Sequence, residues 1–212
     1  MRLNLTKLFS ILIILSFLPM TGFAGVDAGI SIDENGISDF HLAISKHYKV
    51  EEKEIVVIQK KNIPEEEIPV VFYLAKHLGV ESSRIVKLRL DGLTWHEICK
   101  FYGISPELFF VELKQKPGPP YGRAYGKYHK RPQRNWREIY LSDADIINWT
   151  NLKFASEYYN CDPELIVEMR SNGRGFSEIH NAVKQNIKSD KKQAKADKDK
   201  SEKKNKGKSQ KK

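Results

Sequence analysis

The residues of this 212-residue chain that could move a proton, hold a metal or attack a carbonyl are six histidines, 27 acids and two cysteines. Their spacing argues against all three. His96-Glu97 opens an H-E-x-x-H pattern, in which two histidines one helical turn apart would hold zinc, but Lys100 stands where the second histidine is needed. His41, His47, His77, His96, His129 and His180 show no ligand spacing. No G-x-S-x-G, P-loop or G-x-G-x-x-G is present. The carboxylates fall on helix faces and caps, where solvation explains them. The sequence therefore offers no catalytic residue, no metal ligand set and no cofactor-binding motif, and predicts a protein that is not an enzyme.

Cys99 and Cys161 form no C-x-x-C pair. Each sits where another apolar or small residue stands in a repeated pattern described below, so packing accounts for both. A Cys99–Cys161 bridge is the alternative in an exported chain.

Binding is the chemistry the sequence does offer. Lys114 to Arg137, KQKPGPPYGRAYGKYHKRPQRNWR, holds four Pro, three Gly, three Tyr, one Trp and eight Lys or Arg, with no acid. Such Pro and Gly density forbids a long helix. A basic stretch interleaved with aromatics suits an anionic partner, with rings to stack and cations to pair. The candidate binding surface is Tyr121, Arg123, Tyr125, Lys127, Tyr128, Lys130, Arg131, Arg134, Trp136 and Arg137. The competing reading is an ordered crossover whose tyrosines pack on the helices.

The elements that must carry this segment repeat. Take as pivot the apolar residue after each turn: Val50, Val80, Ile104 and Cys161. Two residues earlier stand Tyr48, Leu78, Tyr102 and Tyr159; five earlier, the small Ser45, Ala75, Cys99 and Ser156; five later, Ile55, Ile85, Phe109 and Ile166. Those spacings line one face of each helix and leave a small residue where two helices cross. Val71–Ile98 and Leu152–Ile179 also align without gaps at an offset of 81, with Ile85/Ile166, Val86/Val167, Arg89/Arg170, Gly92/Gly173, Glu97/Glu178 and Ile98/Ile179 identical. A fixed offset with matched chemistry predicts internal duplication. Ser105-Pro106 and Asp162-Pro163 read as N-caps before a first-turn proline, Thr94-x-x-Glu97 as a capping box, and Gly92 and Gly173 as left-handed C-caps. Helices are predicted from Ile37, over Glu51–Lys61, from Pro64, and over Ser82–Leu90, Thr94–Tyr102, Ser105–Leu113, Ser142–Tyr159, Asp162–Ser171 and Gly175–Ile187.

The stretch LAKHLGVESSRIVKL, Leu74 to Leu88, resembles the helix-turn-helix of DNA-binding proteins, with small Ala75, turn Gly79 and apolar Leu74, Leu78, Val80, Ile85 and Leu88. The resemblance implies that the second helix would read a groove through exposed polar residues. Ser82, Ser83, Arg84 and Lys87 suit that, and Arg84 and Lys87 are the candidate polyanion contacts. The equivalent faces elsewhere carry Glu51, Glu52 and Glu54, or Asp162, Glu164 and Glu168, which would repel phosphate. The resemblance is thus one of packing geometry.

Residues 1–24 read as a secretory signal peptide: Arg2 and Lys7, then the apolar run Leu8–Leu18, then Pro19 and small Gly22 and Ala24. The run is too short to span a bilayer, which takes ~20 apolar residues. Cleavage near Ala24, or alternatively after Ala28, predicts a periplasmic or secreted protein. Residues 25–36 form a mobile lead-in, 37–113 three helical units, 114–137 the basic aromatic loop, 138–188 a fourth unit with a closing helix, and 189–212 a lysine-rich tail expected to be disordered. The formal net charge of +9 belongs largely to the ends. Ser189–Lys212 has eleven lysines against four acids, so that residues 25–188 sum to about zero, acidic helices balancing a basic loop. The sequence predicts an all-α array of tandem helix-turn-helix units. Its function is expected to be binding or scaffolding of a protein or anionic cell-envelope partner, with a nucleic-acid or polyanion binder as the alternative.

Overall fold

The computed structural model describes residues 38–209; the segments read as a signal peptide and a lead-in, Ile37 and residues 210–212 lie outside the described residues. The fold is all-α. Its helices are α1 (Asp39–Tyr48), α2 (Glu52–Lys60), α3 (Ile68–Leu78), α4 (Ser82–Leu90), α5 (Trp95–Phe101), α6 (Gly122–His129), α7 (Asp143–Tyr159), α8 (Pro163–Ser171) and α9 (Phe176–Ser209). Short 3-10 turns cover Glu65–Glu67, Pro106–Phe109 and Gln133–Glu138.

Two helices make the centre. In α3, IPVVFYLAKHL, apolar residues come almost without interruption, so the helix is buried on nearly every side: Ile68, Val70, Val71, Phe72 and Leu74 have lost essentially all solvent contact. It packs on α7, whose Ile146, Trp149, Leu152 and Phe154 are equally buried. The amphipathic helices α1, α2 and α4 close around α3, and α8 and α9 around α7. Ser38, Thr94, Ser142 and Asp162 accept backbone N–H bonds as N-caps, and Thr94/Glu97 and Ser142/Asp145 complete capping boxes.

The four pivots share one geometry. The N–H of Val50, Val80, Ile104 and Cys161 donates to the carbonyl of Ser45, Ala75, Cys99 and Ser156 at 3.1, 3.1, 2.8 and 3.1 Å. The residue before each pivot, Lys49, Gly79, Gly103 or Asn160, is left-handed, with φ of 58, 64, 67 and 49°. This is the left-handed helix C-cap, with the same register each time. Two arginines 81 residues apart make similar contacts. Arg89 lies over the Trp95 ring at 5.0 Å and donates to the Leu93 carbonyl at 3.1 Å; Arg170 lies over Phe176 at 4.5 Å and donates to the Arg174 carbonyl at 3.0 Å. Both reach the same 3-10 turn: Arg89 pairs with Glu67 and Arg170 with Glu66.

Three elements differ from expectation. The predicted helix Ser105–Leu113 is only the 3-10 turn Pro106–Phe109, with extended backbone from Phe110. Phe109 and Leu113 both enter the core, and Phe110 reaches the Trp149 ring at 6.2 Å. The basic loop contains α6. Its Gly122 is demanded by space, because a Cβ there would meet the Pro117 carbonyl oxygen at 2.5 Å. Finally α9 does not stop at Ile187. It runs to Ser209 through a segment expected to be disordered, exposed wherever its side chains are described. Lys, Gln, Ala and Glu favour helix, and no Gly or Pro interrupts them before Gly207.

Candidate binding groove

In three of the four units the second helix (α2, α4 or α8) packs back on the first. In the third unit it is cut to four residues. Phe109 fills the position held elsewhere by Ile55, Ile85 and Ile166, and all four are buried. The Pro106–Phe109 turn packs on the Gln133–Glu138 turn, from which the chain runs back through 137–141. Between α5, the Pro106–Phe109 turn and this return segment lies a groove of about 430 Å³, within the usual range for small-ligand pockets.

Its floor is apolar. Phe109, Ile139, Leu141 and Ile146 are buried, and so is Cys99, whose thiol burial pushes up to about 12, with the Asp143 charge adding to the effect. The thiol stays protonated at neutral pH and is no nucleophile. The rim is polar: Lys100, Arg137, Glu138 and Tyr140 are exposed, His96 and Ser105 half-buried. The return segment is pinned from α6, where Lys127 Nζ donates to the Tyr140 carbonyl at 2.7 Å and stands 3.7 Å from Asp145. The Tyr140 ring, 59 % exposed, lies 4.5 Å from the His96 ring. The groove thus combines an apolar floor with a charged rim. Among the described residues no His, Cys, Asp and Glu cluster that could hold a metal ion is found.

The predicted binding surface divides in two. Tyr121, Tyr125 and Tyr128 are buried and Trp136 is half-buried, so these rings are core and not a stacking platform. The three tyrosines surround Trp149 together with Phe110: Tyr125 stacks on it at 6.3 Å with planes 9° apart, and Tyr121 meets it edge-on at 5.5 Å. Tyr125 Oη donates to the Leu113 carbonyl at 3.1 Å, Tyr128 Oη to that of Pro106 at 2.6 Å, and Trp136 Nε1 to that of Tyr128 at 3.1 Å. The packing alternative is therefore the one realised. The 4- and 3-residue spacing of Tyr121, Tyr125 and Tyr128 was the available signal, a helical face inside a Pro/Gly-rich segment.

The cations stay outside. Arg123, Lys130, Arg131, Arg134 and Arg137 are exposed, and none makes an ion pair among the described residues. Lys114 pairs with Asp162 and Lys127 with Asp145, so the segment neutralises acids only in part. Arg84 and Lys87 are exposed on α4, but Lys87 is paired with Asp91 at 2.7 Å. Ser82 is buried and donates to Glu54, and Glu81 is exposed at the α4 N-terminus. Among the described residues the α4 face thus retains one cation without an ion pair, Arg84, beside the exposed Glu81. Cys99 and Cys161 are free thiols.

No helix among the described residues is long and apolar enough to cross a membrane. Compared with known proteins, the chain matches no family model, no curated protein and no solved structure.

Proposed function

We propose that the chain is an exported, non-enzymatic binding protein built on a duplicated helical-unit scaffold, and that the groove beside α5 is its binding site. The observation that carries this is the truncated third unit: an apolar cleft opens where the pattern calls for a helix, and free cations edge it. Export rests on residues 1–24, and duplication on the matched pivot geometry and the Arg89/Arg170 correspondence. A panel of small anionic, neutral and cationic amphiphiles, read by thermal shift, tests the groove. A ligand at 100 times its Kd stabilises the chain by about 2.7 kcal/mol. Binders should lose their effect when Lys100 and Arg137 are reversed to Glu, or when bulk is added at Tyr140. Stabilisation unaffected by those changes would place the ligand elsewhere.

A second reading has its own support in the five unpaired cations Arg123, Lys130, Arg131, Arg134 and Arg137. They suit a polyanion, such as nucleic acid or an anionic envelope polymer, laid along the crossover and assisted by the lysine-rich end of α9. Binding of that kind falls steeply with salt, whereas occupancy of an apolar groove does not.

A further inference from the structure

The groove's polarity specifies more than its existence, and the following rests on the reading of the groove as the binding site. Its interior is hydrocarbon, Phe109, Ile139, Leu141 and Ile146, plus one protonated thiol. Its mouth carries two cations, Lys100 from α5 and Arg137 from the facing 3-10 turn, both exposed and both without an ion pair among the described residues. On a 3-10 helix residues three apart eclipse, so Arg134 shares the face of Arg137. Against these stands a single acid at the rim, Glu138.

We propose that the groove takes a carboxylate on an unbranched or aromatic apolar stem, the stem lying on Phe109, Ile139 and Leu141 and the carboxylate between Lys100 and Arg137. The two cations come from different elements, α5 and the Gln133–Glu138 turn, and Arg137 can meet a head group of two oxygens with two parallel N–H bonds. A polyanion has no use for the apolar floor, and a neutral lipid has none for the rim. A volume of about 430 Å³ corresponds to roughly fourteen waters at ~30 Å³ each, enough for a stem of about eight carbons. The same chemistry is supplied by a free medium-chain acid or by the C-terminus of a peptide ending in apolar residues.

Isothermal titration of the purified chain with octanoate, 1-octanol and octylamine, below their aggregation limits, tests this. Octanoate should bind at least about tenfold more tightly than octanol, as one charge-assisted contact implies, and octylamine more weakly still. Lys100→Gln with Arg137→Gln, both exposed and unpaired, should keep the circular dichroism spectrum and lose the preference. A peptide Ala-Leu-Phe with a free C-terminus, compared with its amide, separates the sources: a free-acid preference tighter than octanoate supports a peptide terminus, a weaker one the free acid. Equal affinity for octanol and octanoate would overturn the ligand class while leaving the groove as a site. Failure of every probe to bind, or a carboxylate preference that survives in the double variant, would overturn the proposal.

Discussion

Arg89→Met should destabilise the fold far more than the equivalent change, Arg170→Met. Arg89 gives two N–H bonds to Glu67, at 2.8 and 2.9 Å, a third to Asp143 at 2.8 Å and a fourth to the Leu93 carbonyl. Glu67 is 6 % exposed, so removing the guanidinium strands a buried carboxylate. Breaking such a pair costs about 3–5 kcal/mol. Arg170 makes a similar set of bonds, but its partner Glu66 has a side chain 36 % exposed, and the contacts are longer, 3.2 and 3.3 Å. Water can take over that carboxylate, which lowers the cost to about 1–2 kcal/mol. For a chain of this size the two should lower Tm by roughly 6–20 and 2–8 °C. Urea unfolding followed by far-UV circular dichroism reads both. Adding Glu67→Gln to Arg89→Met should recover about 1–2 kcal/mol, because the stranded charge is gone. Equal losses for the two arginines, or a loss below about 1 kcal/mol for Arg89→Met, would refute the burial reasoning.

Tyr128→Phe should cost about 1 kcal/mol, since its hydroxyl is bonded to Pro106, whereas Tyr121→Phe should be close to neutral, since its buried hydroxyl has no hydrogen-bond partner; paired urea curves check the contrast. Burial lowers the His180 imidazole to about 4, with Lys184 adding to it. The unfolded chain then binds the extra proton between pH ~6.5 and ~4, so stability falls as pH drops through that window, by about 3 kcal/mol; His180→Phe should flatten that part of the stability–pH profile, and an unchanged slope would remove His180 as the cause. Thiol titration without reductant should find two free thiols in denaturant and, in the native state, slower reaction at Cys99 than at half-buried Cys161; no thiols would mean a bridge. Reversing Arg123 and Arg131 to Glu, neither of which lines the groove, should weaken any binding to heparin and flatten its salt dependence, with no effect on groove ligands.

How much of this was legible depended on whether a residue type forces its own geometry. Gly92 and Gly173 read as left-handed C-caps and have φ of 94 and 86°, because glycine alone enters that region without cost. The Thr94 capping box and the Asp162 N-cap were equally local. Apolar spacing located Ile55, Ile85, Phe109 and Ile166 in the core for the same reason. What escaped was non-local. Ser105-Pro106 is a sound helix start, yet the helix ends after one turn, and the extended backbone beyond it meets Trp149 through Phe110 and Tyr125 through the Leu113 carbonyl, partners from other parts of the chain. The spacing pattern placed Cys99, Ile104 and Phe109, but nothing local brought them together with Ile139, Tyr140 and Leu141 around one groove; Arg137 was singled out for its charge alone. The aromatic residues of the basic segment were visible as rings, but their burial depended on Trp149, which no local pattern links to them.

Compartment separates an envelope binding protein from a chromosomal DNA reader more directly than any affinity does. The measurement is the intact mass of the chain recovered from fractionated cells. A chain beginning at Gly25 or Gly29, in the periplasm or medium, is the expected result. An intact Met1 in the cytoplasmic fraction would contradict export and return Arg84 and the exposed face of α4 to consideration as DNA contacts.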